Sequence, residues 1–574
     1  MPVMSSGLRT VLVAAGFTTI LAGCASGPHQ SPDKAVRACS DLNGASVPAT
    51  AIGLPTRGAT ITATEFVPPV TKAPKTHEGY CKVQGDIASV DPQAPAIKFQ
   101  LNLPANWNGK SLMIGGGGYN GIPAKTTDLL PAGPTDRPDP IGIGYATYGS
   151  DSGHQLSADP NNPGKFALNA EALRNFAYEA LKKTHDTSQN LIARYYGKPS
   201  QVKYFAGGST GGREALAVVQ KWPEDFNGVI ALYPAFAAAS LDLQFGRITR
   251  ALAAPGAYPN IEKRAVLLKA GLQTCDRLDG AEDGIVSNQR ECNRIFDPAT
   301  ATVDGRPLRC EGGRETGNQC LSDAQIRAMK IFNSDIVFHP ATGSGEVRHA
   351  GFNAWGTDLG RPAGDNKLQA TINYLNLGSV APKYPMPPNP AGSQSVPYHA
   401  GFWDQWVKYF ITQDPGYNSL SLDPVRPGKW RQRIDELTVL QDVNKTDLSA
   451  FANHGGKLLI AHGIADGLVP TRATEDYVQR VRATMGPQQT DAFMRYYEIP
   501  GYGHAASTVF NASWDSLSTL ENWVEKGVKP GAQVVADSVG VPGRTRPLCE
   551  YPGWPRYKRA GDMNRAESFY CVRN

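Results

Sequence analysis

The stretch "YFAGGSTGGREAL", residues 204–216, decides how this chain folds. It opens as a short apolar strand, breaks at glycines, and continues as a helix-forming run, "REALAVVQKW". At the break, Gly207-Gly208-Ser209-Thr210-Gly211 fits G-x-S-x-G, the tight strand-to-helix turn that lifts a serine hydroxyl above a sheet. With 60 glycines in 574 residues the bare pattern is a weak signal, and the strand and helix around it carry the weight.

Outward from this point the chain alternates. "AIKFQLNLP" (Ala96 to Pro104) has strand periodicity, "GKSLMIGGGGYNG" is a strand running into Gly115 to Gly118, and "GYATYGSDSGH" is another. Residues 166–195 have the spacing of one long helix, with Leu168, Leu173, Phe176, Ala177 and Leu181 on its inner face. "FNGVIALYP" follows the turn as a buried strand. Sheet character returns in "GGKLLIAHGIADGLVP", a helix near Ala473–Met485, and "AFMRYYEIPGYGHA". This order predicts the α/β class with a parallel sheet. Residues 236–445, rich in proline and aromatic clusters such as "GFWDQWVKYF", interrupt the rhythm and are expected to form an inserted lid domain. The core is then 25–235 and 446–574.

Apolar residues at 41%, charged residues at 19% and a formal net charge of +5 describe a globular chain without a basic footprint for nucleic acid. Arg9 precedes "VLVAAGFTTILAGC", a run with signal-peptide proportions that ends in Leu21-Ala22-Gly23-Cys24. Residues 1–24 are therefore expected to be a lipoprotein-type signal with Cys24 as the lipidated residue, the one expected tie to a membrane. An ordinary cleaved signal is the alternative. Export makes the other eight cysteines a disulfide set. Their succession along the chain pairs Cys39 with Cys81, Cys275 with Cys292, Cys310 with Cys320, and Cys549 with Cys571.

Ser209 needs a base, and the base an orienting acid. Asp466 follows the apolar strand of "LLIAHGIADG", and His504 lies in the loop after the next strand, which gives the order serine, acid, histidine at successive strand ends. The backbone N–H groups of Gly118 and Thr210 are the candidate oxyanion donors. In "CDRLDGAEDGIV", Asp276, Asp279 and Asp283, with the carbonyls of Ala281 and Ile285, form a hard-oxygen set suited to a structural Ca²⁺. A solvated acidic turn is the bland alternative. Phe402, Trp403 and Trp406 are candidates for an aromatic wall in the lid, or for its core. No organic cofactor is called for.

"GGSTGGRE", "CDRLDGAEDGIV", "AHGIADGLVP", "PGYGHA" and "RTRPLCEYPGWPRYKRAGD" together resemble the tannase and feruloyl esterase family over nearly the whole mature length. The resemblance implies an α/β-hydrolase core with a large lid, a calcium site in the lid, and a serine esterase acting on esters of aromatic carboxylic acids of feruloyl, galloyl or terephthaloyl type. It also assigns Ser209, Asp466 and His504 as triad. A hydrolase dedicated to mono(2-hydroxyethyl) terephthalate is the narrower alternative, and an inactive binding lipoprotein the alternative from another class. Two departures stand out. Family members usually carry a disulfide joining the residue before the serine to the residue after the histidine, and here those positions are Gly208 and Ala505. In the family's hydrolases of the terephthalate half-ester a lid arginine reads the free carboxylate, yet the corresponding "SQSVPYHAGFWDQW" has none; His399 and Lys408 are the cationic candidates.

Overall fold

The computed structural model describes residues 38–387 and 395–573. The signal-like run and Cys24 lie outside them. A ten-stranded sheet organises the core: β1 (Ser46–Val47), β2 (Ala59–Val67), β3 (Tyr80–Ile87), β4 (Ile97–Pro104), β5 (Lys110–Ile114), β6 (Ala146–Ser150), β7 (Val202–Gly208), β8 (Gly228–Leu232), β9 (Lys457–Gly463) and β10 (Met494–Ile499). Their order is β1-β2-β3-β4-β6-β5-β7-β8-β9-β10. From β1 to β4 and across to β6 the pairing is antiparallel; from β6 to β10 every pair is parallel.

The parallel half is buried on both faces, which is why its strands are near-continuous apolar runs. Phe205, Val229, Leu458 and Ile460 enter one core, while Tyr204, Ile230, Leu459 and Ala461 enter the other. Register aligns Gly208 with Leu232, Leu232 with Ala461, and Gly463 with Ile499, so β7, β8, β9 and β10 end along one edge. Ligand sites in such sheets lie beyond this carboxyl edge.

The expected long helix is broken. A 3-10 turn (Lys165–Leu168) and a short helix (Ala170–Arg174) lead through one widened turn (Asn175–Glu179) into α1 (Ala180–Tyr196). The Arg213 guanidinium causes the widening, since it takes the carbonyls of Phe176 and Ala177 at 3.0 and 2.9 Å and diverts them from helix bonding. Leu168, read as inward-facing, is 43% exposed because it sits in the 3-10 turn and not on the helix.

Between β8 and β9 the chain leaves the sheet and adds no strand to it among the described residues. Val443 N–H donates to Phe236 C=O at 2.8 Å, so exit and return lie side by side. The excursion has its own apolar core, with Phe332, Phe352, Trp355, Trp403, Trp406 and Phe410 buried in it. This is an α/β-hydrolase core with a large inserted lid. All four disulfides join the cysteines that the chain order pairs.

Candidate active site

Ser209 ends β7 and caps α2 (Thr210–Lys221) with φ 61° and ψ −123°. Such a conformation costs a non-glycine residue about 1–3 kcal/mol. Its neighbours hold it there: Ser209 N–H donates to Leu232 C=O at 3.0 Å, and Ser209 C=O accepts from Ala235 N–H at 3.1 Å. The strain turns the hydroxyl out over the carboxyl edge.

Loops from β9 and β10 bring the other two groups to it. His504 Nε2 lies 3.0 Å from Ser209 Oγ, and His504 Nδ1 lies 2.8 Å from Asp466 Oδ2. Asp466 is fully buried, and its Oδ1 accepts from Leu468 N–H and Val469 N–H at 2.8 Å each. His462 adds a bond that motif reading did not assign. Its Nε2 is 3.2 Å from Asp466 Oδ2 and 3.0 Å from Val469 C=O, both acceptors, so this nitrogen carries the proton. Burial pushes the Asp466 carboxyl up, but the His504 charge and the bonds from His462 and His504 outweigh it and hold it below the usual carboxylate range.

The glycine loop after β5 closes the other side. Thr210 Oγ1 donates to Gly118 C=O at 2.7 Å, and Gly211 N–H to Gly116 C=O at 3.1 Å. Glu214, in the first turns of α2, accepts from Gly116 N–H at 2.8 Å and Asn120 Nδ2 at 2.7 Å. The N–H groups of Gly118 and Thr210 have no acceptor among the described residues. Over Gly118 stands α4 of the lid (Tyr398–Gln405), α3 being Ala238–Leu252. A Cβ at position 118 would lie 2.9 Å from Tyr398 Oη and 4.0 Å from the Phe402 ring, so the bare glycine is what lets the lid approach. Phe402 is stacked between Tyr119, at 4.1 Å, and Tyr398, at 4.7 Å.

Trp403 and Trp406, grouped with Phe402 in the sequence, do not share this wall. Both are 0% exposed in the lid core. Trp403 fills the space left by Gly246, where a Cβ would lie 2.7 Å from the indole, and its Nε1 donates to Ser419 C=O at 3.1 Å.

The sequence profile of the tannase and feruloyl esterase family matches residues 81–572. This chain belongs to that family. It is 36% identical to an uncharacterized esterase of Agrobacterium fabrum, over 99% of this chain and all of the relative. It is 30% identical to the mono(2-hydroxyethyl) terephthalate hydrolase of Piscinibacter sakaiensis, over 88% of this chain and 86% of that enzyme. Among solved structures, feruloyl esterase B from Aspergillus oryzae superposes with a TM-score of 0.69 at 22% identity, covering 90% of this chain and 98% of the other. Tannin acyl hydrolase from Aspergillus niger gives 0.62 at 20%, covering 92% and 94%. Membership makes this tannase-family protein a carboxylic ester hydrolase.

The two departures now have structural content. At Gly208 a Cβ would lie 2.5 Å from the Tyr233 phenol, so that ring occupies the space a larger residue would need. The same ring meets His504 edge-on at 4.9 Å. Tyr233 therefore spans from the residue before the serine to the histidine. Neither cationic candidate stands as a free cation in the lid. Lys408 Nζ pairs with Asp404 at 2.7 Å and donates to Met386 C=O at 3.0 Å. His399 is 2% exposed, and burial pulls its pKa down to about 4, which keeps it neutral near pH 7.

The Asp276–Ile285 loop shows carboxylates in a mutual field. Burial first, then the neighbouring acids, raise Asp279 to about 7, and Asp276 is raised by burial and Asp283. Asp279 is 1% exposed with Oδ2 unpartnered, an oxygen that suits a hard cation. Asp283 is already paired with Arg546. The three acids do not close to within 4.8 Å; among the described residues the group that does is His185, Asp186 and Asp225, where Lys182 bonds both aspartates. The loop also reaches the triad side, since the Ile285 side chain lies 3.4 Å from the Cβ position of Gly501, close before His504.

Proposed function

We propose that this protein is an exported serine esterase that hydrolyses uncharged esters of aromatic carboxylic acids through an acyl-serine intermediate. The observation that carries this reading is the continuous Ser209–His504–Asp466 chain at 3.0 and 2.8 Å. His504 Nε2 accepts the proton as Ser209 Oγ attacks the ester carbonyl, and Asp466 stabilises the imidazolium at Nδ1. The N–H groups of Gly118 and Thr210 take the oxyanion. His504 returns the proton to the leaving alcohol, then activates water to release the acid. The stack of Tyr119, Phe402 and Tyr398 offers a planar acyl group an apolar aromatic wall.

The terephthalate half-ester is the competing substrate, favoured by the relative that bears its name. Its carboxylate needs a cationic partner when desolvated, and Lys408 and His399 are not available for it. Calcium belongs to the same proposal. Asp276, Asp279 and Asp283 with the carbonyls of Ala281 and Ile285 would hold it, and the ion would supply positive charge to a loop whose acids repel. Export and lipidation at Cys24 rest on the residues before it.

The test is a product assay on mature protein and Ser209→Ala with methyl ferulate, methyl gallate, mono(2-hydroxyethyl) terephthalate and a short aliphatic ester. Preference for the two phenolic esters supports the reading; preference for the half-ester replaces it with the alternative. Fluorophosphonate labelling that is lost in Ser209→Ala identifies the nucleophile, and folded protein that takes no label would be a binding relic.

A further inference from the structure

A buried carboxyl without a use lies behind the aromatic wall. The segment after β8 crosses the nucleophile, where Ala235 N–H bonds Ser209 C=O, and runs directly into α3. Asp442 caps that helix by accepting from Ala239 N–H at 2.9 Å and Ser240 Oγ at 2.7 Å. Asp242 sits in its first turns. Phe245 and Gly246 follow at helical spacing and so share its face. Both touch α4: the Phe245 ring is 6.0 Å from His399 and 6.5 Å from Phe402, and Gly246 abuts Trp403. Asp242 therefore faces the start of α4, and its charge acts on the hydroxyls of Tyr398 and Tyr119, the two rings that sandwich Phe402.

Asp242 is 4% exposed, yet neither carboxyl oxygen has a hydrogen bond or ion pair among the described residues. Other buried acids here are satisfied: Glu214, Asp404, Asp442 and Asp466 each have two or more partners. Arg213, the nearby cation, directs its terminal nitrogens to Phe176 and Ala177. Buried polar groups are rarely left without a partner, and a group left so at a ligand-facing wall has its partner in the ligand.

We propose that Asp242 is a specificity residue of the acyl pocket, whose carboxyl takes a phenolic hydroxyl of the acyl group seated beside Tyr398, whose own hydroxyl stands over Gly118. This rests on the aromatic-esterase reading above and narrows it to hydroxylated acyl groups. Burial, with Asp442 adding to it, raises the Asp242 pKa well above the ordinary value, which favours the neutral acid. A neutral acid both donates and accepts, which matches a phenol. A substrate carboxylate would instead meet another acid, with Lys408 held by Asp404 and His399 kept neutral.

The experiment compares kcat/KM for methyl ferulate against methyl cinnamate, and methyl gallate against methyl benzoate, in wild type, Asp242→Asn and Asp242→Leu. Wild type is expected to favour the hydroxylated member of each pair by at least about tenfold, in the sense that a site built to bond a hydroxyl rejects the analogue lacking it. That ratio should fall at least about tenfold in Asp242→Leu and less in the isosteric Asp242→Asn. Equal ratios in wild type and in Asp242→Asn overturn the proposal, even if the leucine variant does not fold. A wild type that hydrolyses cinnamate as well as ferulate overturns it alone and leaves the esterase reading standing. Turnover of an aliphatic ester only overturns both.

Discussion

The two sides of Ser209 are built differently. On the strand side, Asp466 accepts four hydrogen bonds and orients His504, and every distance in that chain is 3.2 Å or less. On the lid side polar atoms stand open: Asn376 Oδ1 and Thr357 Oγ1 are buried without partners, and the Asp242 carboxyl, 4% exposed, has no hydrogen bond or ion pair among the described residues. A cavity of about 30 Å³, lined by Asn376, Thr357 and His504 among others, lies between the two sides. The contrast separates two tasks. Groups that must be correctly placed before substrate arrives are satisfied within the protein. Under the proposed function, groups that meet substrate keep their bonding capacity for it.

The largest expected break in this contrast is Ser209→Ala, which should lower kcat by roughly 10⁴-fold or more while leaving the melting temperature near wild type. Retained turnover would move the nucleophile elsewhere. Next is His462→Ala. It removes a hydrogen bond to a charged carboxylate, about 1.5–3 kcal/mol, which corresponds to roughly 10–100-fold in kcat. A selective loss in kcat with KM preserved marks orientation of Asp466; equal loss of folded protein would mark packing alone.

Acid should act first on two buried histidines outside the Ser209–His504–Asp466 chain, His154 in the core and His399 in the lid. Burial pulls His154 and His399 down to about 4, against an ordinary 6.5. Between those values the unfolded chain binds more protons, so stability is complete above pH 6.5 and falls as pH drops toward 4. Each imidazole contributes up to about 3 kcal/mol to that loss. Urea midpoints at pH 7 and 4.5 measure it, and His399→Gln should flatten part of the slope. The smallest effect concerns Lys408→Met. Because Lys408 is held by Asp404, KM for the terephthalate half-ester should move less than about twofold, as for any side chain that contributes no partner to substrate. A tenfold rise would return that lysine to the pocket.

The strand side was legible in the sequence because strand ends are visible as apolar runs stopping at polar residues. Ser209, Asp466 and His504 each stand at such a stop. The lid was less legible because aromatic residues at helical spacing do not tell which face meets the pocket. Phe402 faces Gly118, while Trp403, its neighbour, turns to Gly246 in another helix. Glu214 and Asp242 were not legible as site residues. Glu214 acts on a loop 98 residues away, and Asp242 stands out only through what does not touch it. His462 lay inside a quoted motif, but its proton and its target depend on the turn that folds Val469 back over it.

The Tyr233 ring that spans Gly208 and His504 also sets the chemistry to which the triad answers. Among the described residues no sulfur stands beside Ser209 or His504, so thiol reagents and changes of redox potential have no direct purchase on the serine–histidine distance. The four disulfides lie in the outer strands, the lid and the C-terminal hairpin. Of these, Cys275–Cys292 brackets the acidic loop whose Ile285 rests on Gly501. A reducing medium would therefore reach His504 indirectly, by loosening that loop, and the turn at Ser209 would be the last part of the site to register it.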